Sequence, residues 1–278
     1  MSSARKLLLL VVLPAVILFG IIQIGLCTNK AEAEKEIEVS APLDEGGVFT
    51  AETLNGSISV TGSEKLGCRV MAKIVAHAES DKEAKELAGK VKVRLIQDGK
   101  KLIARIDKPK LPHNRSLSVS LDVTVPTHTD IKLKTCNGNL QASNLSGKMN
   151  MNTINGSIGC TDISGGMRVE TVNGSVKLDN VSGDSDVRAA NGSIVAAYPK
   201  SFPGVFKTDI ATVNGNINFI APENLSVEID LSTVNGKIKT QMPITVSGEI
   251  SRNKLHGTIG KGEGKLSLET TNGSITIE

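Results

Sequence analysis

Aromatic residues make up only 2% of this 278-residue chain: there is no Trp, one Tyr (Tyr198) and five Phe. Surfaces that bind by stacking rings on bases or sugars need more than that. Clustered positive charge is missing too. With Arg5 and Lys6 set aside, 30 basic residues face 29 acidic ones, and so even a balance speaks against a nucleic-acid binder, whose affinity rests on many phosphate contacts. Four cysteines in a chain of this length do not build a disulfide framework. Cys136 and Cys160 stand where other repeats carry aliphatic residues and read as small core residues. No CxxC or HExxH occurs and the four histidines are dispersed, so neither a metal nor another cofactor is expected. Nor is there a nucleophile elbow, a Ser-His-Asp set or a phosphate loop at a workable spacing.

Long apolar runs are absent but for one. Leu7 to Cys27 is uncharged and follows the cations Arg5 and Lys6. As a helix of that length it would span about 31 Å, close to the thickness of a bilayer's hydrocarbon core. The expectation is an N-terminal transmembrane anchor over residues 1–27, with the rest of the chain outside the cytoplasm by the positive-inside rule. Two other routes fit the same residues. Ala31-Glu32-Ala33 offers a signal-peptide cleavage site, which would make the chain secreted. Ile24-Gly25-Leu26-Cys27 resembles a lipoprotein box, with Leu26 where a small residue belongs, and would make Cys27 a lipid anchor. Residues 28–45 are polar and charge-rich and read as a mobile tether.

What the sequence has in abundance is a repeat. Asn-Gly recurs at Asn55, Asn137, Asn155, Asn173, Asn191, Asn214, Asn235 and Asn272. From Asn137 to Asn191 the spacing is 18 each time; it then loosens to 23 and 21, and a His256-Gly257 variant follows 21 further on. Three residues after each Asn stands an aliphatic residue, as in Leu140, Ile158, Val176, Ile194, Ile217 and Ile238. A second glycine corner, Ser-Gly at Ser146, Ser164 and Ser182, divides each unit into two short strands of period two. A hairpin meander would also use Asn-Gly turns, but it needs neither constant unit length nor identical residues at matching positions. A stack of coils rewards both, because like side chains meet in the lumen and corner asparagines can bond to one another. The expected fold is all-β: a β-solenoid (β-helix or β-roll) of about 18-residue coils over residues 131–278. A left-handed or bulged backbone at each corner would account for the glycines.

Residues 46–130 read as an α+β capping region. Phe49 to Val60 looks like an isolated first repeat. Ser80-Asp81-Lys82-Glu83 is a capping box opening a short helix that ends near Gly89. A hairpin pivots on Asp98-Gly99, and Leu117 to Val125 alternate as one long strand up to Pro126. The strand Val123-Thr124-Val125-Pro126, and a Thr two positions before its Asn at Thr135, Thr153, Thr171, Thr212, Thr233 and Thr270, resemble a bacterial "putative adhesin" family of unknown function. The resemblance covers roughly residues 46–278. It implies a β-helical extracytoplasmic domain, often membrane-tethered, and brings no catalytic residues to carry over.

Two function classes remain. The first is a non-catalytic surface or envelope module that binds or scaffolds, tethered to the membrane through Leu7–Cys27, with an envelope polymer or surface protein as partner. Its features are a ribbon of mostly small polar residues two positions after each Asn (Asn139, Ser157, Ser175, Ser193, Asn216, Lys237 and Ser274), an insertion carrying Tyr198, Lys200 and Phe202 as a candidate binding loop, and a candidate basic patch of Lys237, Lys239, Arg252, Lys254, Lys261 and Lys265. The second is a β-helix enzyme cutting a polysaccharide, with Asp179, Asp184 and Asp186 as its carboxylates and Arg168 and Arg188 nearby. The outward positions converge on no acid, base or nucleophile, and the first class is the expectation.

Overall fold

Apolar residues at every second position, broken by glycine corners about nine residues apart, suit a flattened coil with one strand on each side. The computed structural model, which describes residues 31–111, 113–202, 205–246 and 251–278, has that form. The first strands are β1 (Ala31–Ala41), β2 (Val48–Asn55), β3 (Ile58–Ser63) and β4 (Cys68–Ala78). Helix α1 (Asp81–Gly89) follows, then β5 (Lys92–Asp98), β6 (Lys101–Asp107) and β7 (Ser116–Pro126). The regular coils comprise β8 (Asp130–Asn137), β9 (Leu140–Leu145), β10 (Met149–Asn155), β11 (Ile158–Ile163), β12 (Met167–Asn173), β13 (Val176–Val181), β14 (Ser185–Asn191) and β15 (Ile194–Ala197). The later strands are β16 (Lys207–Asn214), β17 (Ile217–Ile220), β18 (Val227–Asn235), β19 (Ile238–Thr240), β20 (Thr245–Val246), β21 (Lys254–Ile259), β22 (Gly264–Asn272) and β23 (Ile275–Ile277).

Two sheets result. The first runs β1-β4-β7-β3-β9-β11-β13-β15-β17-β23-β19, and the second β20-β21-β18-β22-β16-β14-β12-β10-β8-β2-β6-β5. Each regular coil places one strand in each sheet, and strands of successive coils pair in parallel with identical register: Met149 with Met167, Thr153 with Thr171, Asn155 with Asn173. Long parallel sheets and this stacking make the fold all-β and solenoid-like. The lumen between the sheets is aliphatic, with Ile158, Val176, Ile194 and Ile217 in one buried row and Cys160, Leu178, Ala196 and Phe219 in the next.

The end of the stack departs from sequence order. Ile217 does not sit beside Ile238: the C-terminal coil, β22 and β23, lies between them, so that Ile217 pairs with Ile275 and Ile275 with Ile238. The His256-Gly257 variant is no corner either. His256 lies in β21, which runs antiparallel to β18.

At the other end, β2 and β3 are full members of the stack, pairing in parallel with β8 and β9. The long strand β7 and the hairpin β5–β6 form where the alternation places them, with Val93 opposite Ile106 and Leu95 opposite Ala104. Ser80 caps α1 by accepting a hydrogen bond from the Glu83 amide. The expected mobile tether is corrected in part. Residues 31–41 form β1, antiparallel to β4 from Ala31–Ala78 to Ala41–Cys68. Its inward Ala33 is buried, while its glutamates pair across the strands, Glu34 with Lys73 at 2.8 Å and Glu38 with Arg69 at 2.7 Å. The apolar run Leu7–Cys27 lies outside the described residues. Among those described, no helix is long and apolar enough to cross a membrane.

Candidate functional site

The most regular feature of the surface is the Asn-Gly corner. Each corner Asn except Asn55, which donates to the Leu117 carbonyl, donates from Nδ2 to Oδ1 of the Asn one coil away, from Asn137 onto Asn55 through to Asn235 onto Asn272, at 2.7 to 2.9 Å. Behind this ladder the threonines turn inward and donate to glycine carbonyls of the neighbouring coil, as Thr171 does to Gly156 at 2.9 Å and Thr212 to Gly192 at 2.9 Å. The glycines have a different cause from the one expected. Of those following the corner asparagines, only Gly56 has a positive φ; the others are required by close approach, since a Cβ on Gly174 would lie 2.1 Å from the Gly156 carbonyl oxygen. Left-handed backbone occurs instead at the opposite corner, at Asn144, Asp162 and Asn180. Next to the Asn ladder, Asn139, Ser157, Ser175 and Asn216 stand exposed in file, with Ser193 half-buried among them, as the small polar ribbon the sequence indicated.

The candidate carboxylates are not brought together. Asp179 lies on β13 in the first sheet, beside Lys177. Asp184 and Asp186 lie at the second sheet, along a shallow groove of about 620 Å3 that also includes Arg168 and Asp209. Asp186 stands between two guanidiniums, Arg188 at 3.2 Å and Arg168 at 3.8 Å. Arg188 also binds Asp209 at 2.9 Å, and the hydrogen bond to Asp209 is the main reason its guanidinium is held more firmly protonated than usual. Asp184 accepts the Lys207 amide at 2.8 Å, a bond that fastens one coil to the next. The groups sequence reading placed in one catalytic set are thus divided between two sheets and paired within them. No cluster of metal-ligating side chains occurs among the described residues.

The aromatic residues of the insertion after β15 turn inward. Tyr198 is 4% exposed, stacked on Phe206 with centroids 4.4 Å apart and close to Phe219. Its hydroxyl lies 2.7 Å from Thr208 Oγ1 and 3.1 Å from Ser185 Oγ, two polar groups of the lumen that it satisfies. Phe202 packs on the same rings, and of the three candidate loop residues only Lys200 is exposed. For Tyr198 and Phe202 the expected binding role is therefore corrected to a core plug, which the bulky aromatic side chains favour by leaving water, while Lys200 stays at the surface. The candidate basic residues are exposed but divided. Lys237 and Lys239 lie at and on β19, at the end of the first sheet, whereas Arg252, Lys254, Lys261 and Lys265 belong to β21, β22 and their turns on the second.

One surface was missed from sequence. The residue just before each corner Asn points outward, so Leu54, Ile154, Val172, Val213 and Val234 are 44% to 64% exposed. Cys136 belongs to this row and is half-exposed, which corrects its reading as core; Cys160 is buried as expected. The signal was available: these residues follow the inward threonines, and strict alternation sends them out.

Stacked parallel coils, a bonded asparagine edge and files of like residues define a class, an all-β solenoid-like protein with a repeated surface. The chain belongs to the Toastrack DUF4097 family, whose model matches residues 27–278. Among curated proteins none matches it. A crystal structure from Bacteroides fragilis described as "a putative adhesin" is similar at 19% identity with a TM-score of 0.50, over 88% of this chain and 97% of that one. Two from Parabacteroides distasonis, a "putative adhesin" and a "Putative lipid binding protein", are similar at 10% and 12% identity with TM-scores of 0.43 and 0.41, each over 90% of this chain and 98% of its own. The first likeness shows a shared fold.

Proposed function

We propose that this protein is a non-catalytic, extracytoplasmic binding or scaffolding module, tethered at its N-terminus and presenting a rigid repeated surface to an envelope polymer or surface protein. The observation that carries this reading is the corner: an asparagine ladder with a file of small polar side chains beside it, repeated at the coil spacing of about 4.8 Å. Such an edge suits a long, shallow contact with a repetitive partner. The pairing of Asp184 and Asp186 within the coil-to-coil bonding supports a structural role for them. In this reading β1, β4, β7, β5, β6 and α1 cap the first end of the stack, because an open sheet end is a template for aggregation. The adhesin-like description of the Bacteroides fragilis structure agrees with a surface role. The uncharged run Leu7–Cys27 supplies the tether.

The test is capture without turnover. The chain should retain peptidoglycan or teichoic acid in a pull-down, and substituting Ser157 and Ser175 with Glu should weaken that capture while leaving the melting temperature unchanged. Release of soluble product from either polymer, abolished by Asp184→Asn or Asp186→Asn, would overturn the reading in favour of a polysaccharide-cutting enzyme.

A further inference from the structure

The outer face of the second sheet has a pattern that neither the fold nor the proposed binding edge needs. In spatial order its central strands are β2, β8, β10, β12, β14, β16, β22 and β18. The row before the corner asparagines crosses all of them, aliphatic except for Cys136 on β8 and Thr271 on β22, and lines two shallow grooves, one of about 410 Å3 at Leu54 and Cys136 and one of about 400 Å3 at Ile154, Val172, Ala190 and Val213. Two residues further from the corner runs a charged row, and two further still a second one. An exposed apolar stripe this long marks an interaction surface rather than scatter.

From this pattern we infer that the face docks against a second copy of the chain, with the two stacks antiparallel and the facing strands parallel, about a two-fold axis parallel to the strands and lying between β12 and β14. That axis sets each strand against its mirror in the order. The aliphatic row then meets itself as Leu54 with Val234, Cys136 with Thr271, Ile154 with Val213 and Val172 with Ala190. In the adjoining row Lys134 faces Glu269 of the other copy and Glu170 faces Arg188, while Glu52 faces Ser232. In the outermost row the basic half, Lys132 and Arg168, faces the half that bears Asp186 and Ser267, with Arg168 opposite Asp186. Asp209 and Asp230 meet Asn150 and Thr50. No like charges meet in these three rows. The one like pair, Lys148 with Lys207, falls at the margin, where solvent screens it.

The register is favoured by the charges at the centre of the face. Sliding one copy by a single coil in one direction sets Glu170 and Arg168 against their own counterparts, and in the other direction Arg188 and Asp186, so both shifts are opposed by like charge. The face is also large enough. Eight strands about 4.8 Å apart by about six residues of 3.3 Å give roughly 750 Å2 per copy, near the 800 Å2 per partner of a standard stable interface. The contact is isologous, as a closed dimer requires, and it leaves the asparagine corner and the first sheet free. It is therefore independent of the partner proposed above.

The test uses the full-length chain in detergent micelles and the native thiol at Cys136. Thr271→Cys should give a covalent dimer as its main product under mild oxidation, whereas the wild-type chain and a Glu64→Cys control stay at the monomer mass on denaturing gels. Adding Lys134→Glu to Thr271→Cys should cut cross-linking at least tenfold, and adding Glu269→Lys as well should restore it, with melting temperatures unchanged throughout. Light scattering of the unmodified chain should give the dimer mass. A monomer mass there, or cross-linking at Thr271→Cys no greater than at Glu64→Cys, would overturn the inference. A monomer whose dye-labelled Val172→Cys is shielded only when lipid vesicles are added would also overturn it, and would assign the face to a bilayer.

Discussion

At the scale of single residues, the coil is held by three types with separate duties: asparagine bonds along the edge, threonine ties into the neighbouring coil, and glycine permits the approach that makes both possible. The threonine file has one gap, Ala189, which lies in register between Thr171 and Thr212 and is buried. Ala189→Thr should place a hydroxyl on the Gly174 carbonyl and raise stability by about 1 kcal/mol, the usual net value of such a bond, measured by urea unfolding. Gly174→Ala should do the opposite. Its Cβ would lie 2.1 Å from a backbone oxygen that cannot swing aside, and a loss of more than about 2 kcal/mol is expected from strain of that kind. The cysteines divide in the same way by environment. Burial pushes the thiols of Cys68 and Cys160 up to about 12, so at pH 8.5 both stay protonated and inert, whereas half-exposed Cys136 should be alkylated by iodoacetamide in the folded chain. Peptide mapping after a short labelling pulse separates the three.

At the scale of elements, the regular coils could be read directly from residues. The constant spacing, the aliphatic position three residues after each Asn, and the Ser-Gly corners all fall where the strands and turns lie. Two of the irregular segments could not be read, for physical reasons. Residues 28–45 look solvated because their glutamates are numerous, yet a strand with one face in water needs only every second residue to be apolar, and cross-strand lysine and arginine neutralise the rest. The insertion after β15 breaks the period and holds the sole tyrosine, the marks of a binding loop in sequence; the break instead makes room for an aromatic plug. Tyr198→Phe should therefore lower stability by about 1 to 3 kcal/mol by leaving the lumen hydroxyls of Ser185 and Thr208 short of a partner, seen as a fall in denaturation midpoint. The candidate carboxylates misled for a related reason: spacing along the chain does not say which sheet a strand joins.

At the scale of the molecule, the coils share one lumen and each depends on its neighbours. Val176→Asp, which sets an unpaired charge between Ile158 and Ile194, should unfold several coils together rather than one, and hydrogen exchange should show protection lost from β11 through β15 at once. The stack also closes on itself in a way that no periodicity reveals. Both β18–β19 and β22–β23 carry the same motif, so either pair could follow β17; the hairpin partner β21, running back along β18, occupies that strand's outer edge and leaves its inner edge to β22. The central claim is thus one continuous stack whose last coil is inserted next to last. Paired cysteines on the outer face of the first sheet test it most directly, because parallel neighbours about 4.8 Å apart can form a disulfide and strands two steps away, about 9.6 Å, cannot. Cysteines at Asn218 and Thr276, and separately at Thr276 and Lys239, should close readily within one chain, while cysteines at Asn218 and Lys239 should remain free thiols. Ready closure between 218 and 239, with none between 218 and 276, would restore simple sequence order and contradict the account.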